Sequence, residues 1–323
     1  MVKMNRFLAF GFGSALWLLT AYAIAVAQEP QGGGAANQET SAVQGLQHFA
    51  TPEKAAHAFV AALAKGDEEA LLDVLGHDYA DDLFGPDLVS DKALIHRAYL
   101  RSKEKLVIHR DSEDRVTLLF GKNAWPMPIP LVRDGDSWVF DTAAGAEVIL
   151  ERRIGDGELS AIATMEAFVK AQRDYANRLR EAGKPVHYAR YVQSTAGKTD
   201  GLWWDKAMAK VAGPSPLDEF VEKQKEFLHG RQPGDPFKGY YFRILTGQGP
   251  HTKGGAKSYF VNGAMIGGFA MVAWPAEYRD SGVMTFMVNQ DGRVMEKDLG
   301  EETASLVETL RVYDPDDSWQ AAE

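Results

Sequence analysis

Apolar positions switch between a helical and an alternating period three times along the chain, and the switches mark its elements. Thr51-Pro52-Glu53 is an N-cap followed by proline at the first helical position and an acidic first turn. Behind it Ala56, Phe59, Val60 and Leu63 recur at helical spacing and predict one buried stripe. Gly66-Asp67 ends that helix and caps a second, whose apolar positions are Leu71, Leu72, Val74 and Leu75. The period then shortens to that of strands over 115–120, 129–133 and 137–141, the last two joined through Asp134-Gly135-Asp136. Two or three helices followed by an antiparallel sheet predict an α+β domain over 49–152.

The helical period returns over 158–182, where Ile162, Met165, Phe168, Val169, Gln172, Tyr175, Ala176 and Leu179 share a face and Gly183 is the stop. After an irregular stretch containing Trp203-Trp204, Pro214-Ser215-Pro216 opens a helix carrying Leu217, Phe220, Val221, Phe227 and Leu228. The rest reads as strands: 239–246, then 258–261 paired with a strand from Ala264 across Asn262-Gly263, the strongest short hairpin signal. Strands 283–289 and 293–297 pair across Gln290-Asp291-Gly292; a short helix near 301–310 and an acidic tail at 314–317 follow. Residues 153–323 thus form a second domain, a long helix plus an antiparallel sheet.

The N-terminus reads as an address. Lys3 and Arg6 precede an apolar run from Phe7 to about Ala25, and Ala25-Val26-Ala27 supplies the small-x-small pattern of signal-peptidase cleavage before Gln28. The alternative is an uncleaved membrane anchor. Residues 28–48, with Pro30-Gln-Gly-Gly-Gly34, lack the apolar content to order themselves and read as a flexible linker. A periplasmic or secreted protein without a membrane span after cleavage is expected.

Charge and composition narrow the function classes. Net charge is −10, and −12 once Lys3 and Arg6 are removed, so the chain lacks the broad positive field that duplex nucleic acid requires. With no cysteine, thiol catalysis, disulfides, Cys-ligated zinc and a lipid anchor on an N-terminal Cys are all excluded.

The helix 52–65, the Gly66-Asp67 break and the stretch Pro130-Leu-Val-Arg-Asp-Gly-Asp-Ser-Trp-Val-Phe-Asp141 resemble the cystatin-like superfamily that includes nuclear transport factor 2. The second half carries Gly239-Tyr-Tyr-Phe-Arg-Ile-Leu-Thr246, Val261-Asn-Gly-Ala-Met-Ile-Gly-Gly-Phe-Ala270, Ala273-Trp-Pro-Ala-Glu-Tyr278 and Gly282-Val-Met-Thr-Phe-Met-Val-Asn-Gln-Asp-Gly292. On these the chain resembles an uncharacterised family of exported bacterial proteins, domain of unknown function 2950, which implies a compartment and a fold but no reaction. A fainter likeness links Ala171-Gln172, Tyr175, Gly239, Tyr240, Phe242 and Asp291-Gly292 to the pilin and pseudopilin fold. The helix here lies mid-chain and lacks the apolar N-terminal half with which pilins polymerise, so the resemblance implies a pilin-like sheet without pilus assembly.

Catalytic signatures fail on inspection. Ala196-Gly-Lys-Thr199 lacks the earlier glycine of a phosphate loop, where Val192 stands; Gly247-Gln-Gly249 lacks the third glycine of a dinucleotide loop. No Gly-x-Ser-x-Gly and no His-Glu-x-x-His occurs, and the eight histidines show no ligand spacing. A calcium loop through Asn289 and Asp291 fails at Met287, which has no oxygen to donate. No catalytic residue, metal or cofactor is assigned. The remaining lead is aromatic: Trp203, Trp204, Tyr241, Trp274 and Tyr278, with Glu277, are candidates for holding an envelope protein or a glycan. Only one of Tyr240 and Tyr241 can point into a core, and Gly267-Gly268 reads as a bulge or a close approach. The leading reading is a non-catalytic binding or assembly module. The alternative is a small-molecule binder or enzyme using the N-terminal cavity, with His57, His96 and Asp141 as candidates.

Overall fold

Thr51 accepts a hydrogen bond from the Lys54 amide and starts α1 (Pro52–Lys65), which ends at Gly66 in the left-handed region, as the sequence predicts. Asp67 accepts from the Ala70 amide and starts α2 (Glu68–Leu75), on which Leu71, Leu72, Val74 and Leu75 are all buried. The computed structural model describes residues 46–232 and 234–322; the predicted signal peptide and all but 46–48 of the predicted linker lie outside them. Of those three, His48 already holds Ser137 Oγ at 2.8 Å. A short turn leads to α3 (Ala80–Leu83) and α4 (Leu88–Glu104). Then come β1 (Leu106–Arg110), β2 (Arg115–Phe120), β3 (Trp125–Pro126), β4 (Leu131–Asp134) and β5 (Ser137–Phe140). They form an antiparallel sheet of order β1-β2-β4-β5, with β3 also on β2. Its core is filled by Phe49, Phe59, Phe120 and Phe140, whose rings meet at centroid distances of 5.5–6.2 Å.

The long helix is longer than its periodicity suggests. α5 runs Thr142–Glu181, starting sixteen residues before the predicted Glu158, and Gly183 (φ 64°) follows its end. Asp141 caps it by accepting from the Ala144 amide. Gly145, Gly155 and Gly157 depress helix propensity over its first turns, and packing overrides them. A Cβ on Gly145 would lie 2.8 Å from Ile129 Cα, and one on Gly157 2.5 Å from the Ser281 carbonyl oxygen. One helix is thereby fitted against both halves of the chain. Gly157→Ala gains up to about 1 kcal/mol of helix propensity but forces backbone apart, at about 1–3 kcal/mol. A net loss in urea denaturation is expected; a stabilised variant would show that the contact yields without cost.

Downstream lie β6 (Tyr191–Gln193), β7 (Gly201–Trp203), α6 (Lys206–Ala212) and α7 (Asp218–Leu228). β8 (Tyr240–Leu245), β9 (Gly247–Gln248), β10 (Lys257–Ser258), β11 (Phe260–Val261), β12 (Ala264–Met265), β13 (Ala270–Pro275), β14 (Met284–Asn289) and β15 (Met295–Asp298) follow. The chain closes with α8 (Thr303–Thr309), β16 (Val312–Tyr313) and β17 (Gln320–Ala321). The main sheet, β17-β15-β14-β13-β8, is antiparallel and receives Met165, Phe168 and Val169 of α5. Asn262 (φ 50°) and Gly263 (φ 82°) make the expected tight turn between β11 and β12. The acidic segment 314–317 is not a free tail, because Gln320 pairs with Glu296 and completes the sheet. Gly267 and Gly268 lie between β12 and β13 and not inside a strand. A Cβ there would strike Ser258 O and the Tyr259 ring, so the close approach is by the chain's own backbone and ring.

The architecture is α+β, with two hydrophobic cores among the described residues. No described helix is long and apolar enough to cross a membrane.

Candidate functional site

A cleft of about 820 Å³ opens between α4, α5 and α7, and the loop 84–87 and the turn 237–239 also line it. That volume suits a small organic ligand. Its position follows from local capping. Asp87 is the N-cap of α4: its carboxylate accepts from the Ser90 amide at 3.0 Å and the Ser90 hydroxyl at 2.9 Å. The same carboxylate takes Arg231 Nη2 on both oxygens at 2.7 Å and the Gly239 amide at 3.0 Å. Both side chains of the Asp87–Arg231 pair are more than nine-tenths buried, at 6 and 9 % exposure. Arg231 also donates through Nε to the Phe227 carbonyl, while its Nη1 has no partner among the described residues. One carboxylate therefore joins the start of α4, the end of α7 and the turn before β8.

That turn is unusual in its residues. Phe237 and Tyr240 bond each other's backbones across Lys238 (φ 50°) and Gly239 (φ 80°), a two-residue turn with both central residues left-handed. Such a turn favours Asn-Gly, and lysine there carries strain. The Lys238 ammonium lies 4.3 Å from the Phe227 ring centroid, and Arg97 lies 4.4 Å from the same ring. Burial, then the Arg97 charge, hold the Lys238 pKa below its ordinary value, against the pull of Asp156.

Asp91, one turn into α4, is buried beside them. Its carboxylate accepts from the Gly85 amide at 3.0 Å. Burial raises its pKa to about 7; the Gly85 amide and Arg153 oppose the shift, and Asp87 and Glu68 add to it. Arg153 itself donates to the Asp82 carbonyl and pairs with Asp280, fixing α5 to both sides. Toward β3, Arg101 and Arg152 bring their guanidiniums to 5.8 and 5.2 Å from the Trp125 ring, and neither forms an ion pair among the described residues. Leu94 and Leu159 line the cleft while remaining 49 and 53 % exposed.

The residues singled out by the sequence are mostly elsewhere. His57 is exposed on α1, and His96 is exposed on α4, 3.6 Å from Glu226. Asp141 caps α5, and none of these three lines the cleft. Trp204 is buried with its indole N–H donated to the Gly213 carbonyl, while Trp203 packs half-buried on the second core. Tyr241 and Trp274 are brought together across β8 and β13, rings 5.7 Å apart, with Arg243 5.3 Å over Trp274. Tyr240 is the member of its pair that points inward. Tyr278 bonds Asp298 at 3.2 Å, and Glu277 is exposed beside a turn in which its carbonyl accepts from Ser281. None of these six aromatic and acidic candidates lines the cleft. Glu69, Asp73 and His77 bring ligand-type atoms within 4.8 Å of one another on an exposed face, a spacing not picked out from the sequence.

Fold and cleft together define an α+β protein with a helix-walled, amphipathic cavity of ligand size. Residues 46–322 match the family described as "Protein of unknown function (DUF2950)", and the chain belongs to that family. No curated protein and no solved structure gives a significant match.

Proposed function

We propose that this is a non-catalytic binding module of an exported protein, and that the cleft between α4, α5 and α7 is its ligand site. The observation that carries the reading is an 820 Å³ hollow in which the buried carboxylates and Arg153 are already committed to architecture: Asp87 to Arg231 and amides, Asp91 to Gly85, Arg153 to Asp280. Such groups hold a shape and do not supply a free nucleophile with its base. The sequence pattern of residues 1–27 supports export. The two cores support two modules, 49–152 and 153–323, bridged by α5, with the helix-on-sheet layouts that cystatin-like and pilin-like resemblances imply. The N-terminal cone itself is filled by phenylalanines, so a ligand is read into the adjoining cleft and not into that cone.

The test is a thermal-shift screen of the mature chain from Gln28 with a chemically diverse small-molecule panel. A ligand at a hundred times its Kd adds about 2.7 kcal/mol, which raises the melting temperature by roughly 5–10 °C for a unit of this size. Ala163→Trp, on the cleft wall and exposed, should abolish the shift without unfolding the protein. If every hit survives Ala163→Trp, or none emerges, the cleft is not the ligand site. Cell fractionation with N-terminal sequencing at Gln28 tests export separately.

A further inference from the structure

The cleft's charges do not match the rest of the molecule. The chain as a whole is acidic, at −10. Around the cleft, Arg97, Arg101, Arg152, Arg153 and Lys238 are set against Asp87, Asp91 and Asp156. Arg97 is paired with Glu226 at 2.9 Å, and Arg153 with Asp280. Asp87 is consumed by Arg231, which lies just behind the wall. Arg101, Arg152 and Lys238 are left in no ion pair among the described residues, with Asp156 as the acid that interacts with Arg152 and Lys238. Both guanidiniums lie against the Trp125 indole, and Arg152 also reaches the Pro126 carbonyl at 3.5 Å, so an anionic group at this edge meets charge-assisted donors that no carboxylate among the described residues occupies.

The strained turn points the same way. Asparagine would satisfy the left-handed position of residue 238 at lower cost, yet lysine stands there with its ammonium in the cleft. The walls beyond the charges are apolar, and Leu94 and Leu159 remain half in water with nothing over them. Leaving two such leucines wet forgoes hydrophobic stabilisation that an apolar ligand body would recover.

Building on the proposed ligand site, we propose that the cleft binds a single small amphiphile carrying one anionic head, a carboxylate or phosphate monoester. The head sits at the Arg101–Trp125–Arg152 edge within reach of Lys238, and the apolar body lies between Leu94 and Leu159. A hollow of this volume encloses one such molecule and not a bilayer surface.

The experiment titrates the mature protein by calorimetry with decanoate, decyl phosphate, decyltrimethylammonium and nonyl glucoside below their micellar concentrations, and with phosphatidylglycerol vesicles. Decanoate or decyl phosphate should bind at least tenfold more tightly than the cationic and neutral amphiphiles, and added salt should weaken that binding. Arg152→Ala and Lys238→Asn should each weaken it about tenfold, the loss of one charge-assisted contact. Lys238→Asn should leave the melting temperature unchanged or raised, which separates lost recognition from lost folding. Equal affinity for decyltrimethylammonium would overturn the anionic class while leaving the ligand site standing. Binding that persists in Ala163→Trp, binding to vesicles alone, or no binding by any amphiphile would also overturn the proposal. The diverse panel then judges the ligand site independently.

Discussion

Replacing Asp87 with alanine is expected to cost about 3–5 kcal/mol of stability, the loss that follows when one partner of a buried ion pair is removed. The size comes from what the carboxylate holds. Without it Arg231 stays buried with its charge unpaired, Nη2 keeping only the Ser90 hydroxyl at 3.1 Å and Nη1 already without a partner among the described residues. The Ser90 amide loses its cap and the Gly239 amide its acceptor. Asp87→Asn keeps an acceptor for the cap but removes the charge opposite Arg231, so an intermediate loss of about 2 kcal/mol is expected. Asp87→Leu combined with Arg231→Met should recover much of the deficit, because a packed apolar pair avoids burying charge. Urea midpoints at constant m-value measure all three. An Asp87→Ala variant within about 1 kcal/mol of the parent would mean that water reaches Arg231 and the junction is not a stability element. Since the Gly239 amide hangs from Asp87, the same variant should loosen the Lys238 turn and weaken any ligand in the cleft.

How much of this was legible in the sequence depends on whether the signal is local. Thr51-Pro52, Gly66-Asp67 and Asn262-Gly263 fix their own backbones within a few residues, and each appears where its chemistry predicts. The face Met165, Phe168, Val169, Gln172, Tyr175 and Ala176 is likewise buried as its period indicates. The first turns of α5 were hidden because Gly145 and Gly157 read as helix breakers, whereas the structure uses them to admit Ile129 and the Ser281 carbonyl. α4 has a legible start in Gly85-Pro86-Asp87, with Ser90 three residues on, but its weakly amphipathic sequence offers little period to follow. The cleft was not legible at all. Asp87 meets Arg231 at a separation of 144 residues, and Arg152 meets Trp125 from a different element, so no motif spacing could join them. Large aromatics are an ambiguous signal for the converse reason: Trp204 is conspicuous in sequence and buried, because large cores need large side chains.

Asp91→Asn should make the protein more stable above neutral pH, and the gain should itself depend on pH. In the unfolded chain the Asp91 carboxyl ionises near its ordinary 3.8, whereas in the folded protein burial delays ionisation to about 7. Between those values the folded state holds the extra proton, so folding is favoured by acid and stability falls as pH rises through the interval. At pH 8 both states are ionised at this site, and the folded state bears the full cost of a buried charge. A shift of about three units corresponds to about 4 kcal/mol. Asparagine keeps an oxygen for the Gly85 amide and carries no charge to bury, so the cost disappears with the titration. The stability difference between Asp91→Asn and the parent should widen by about 3 kcal/mol from pH 5 to pH 8 and then level off. Arg153, Asp87 and Glu68 are the charged neighbours that set the midpoint, and Arg153→Met should move it upward by removing the attraction that lowers it. Parallel stability curves for Asp91→Asn and the parent across that range would show that Asp91 ionises freely in the fold, and that the floor of the cleft is wet and not the low-dielectric pocket an apolar ligand body needs.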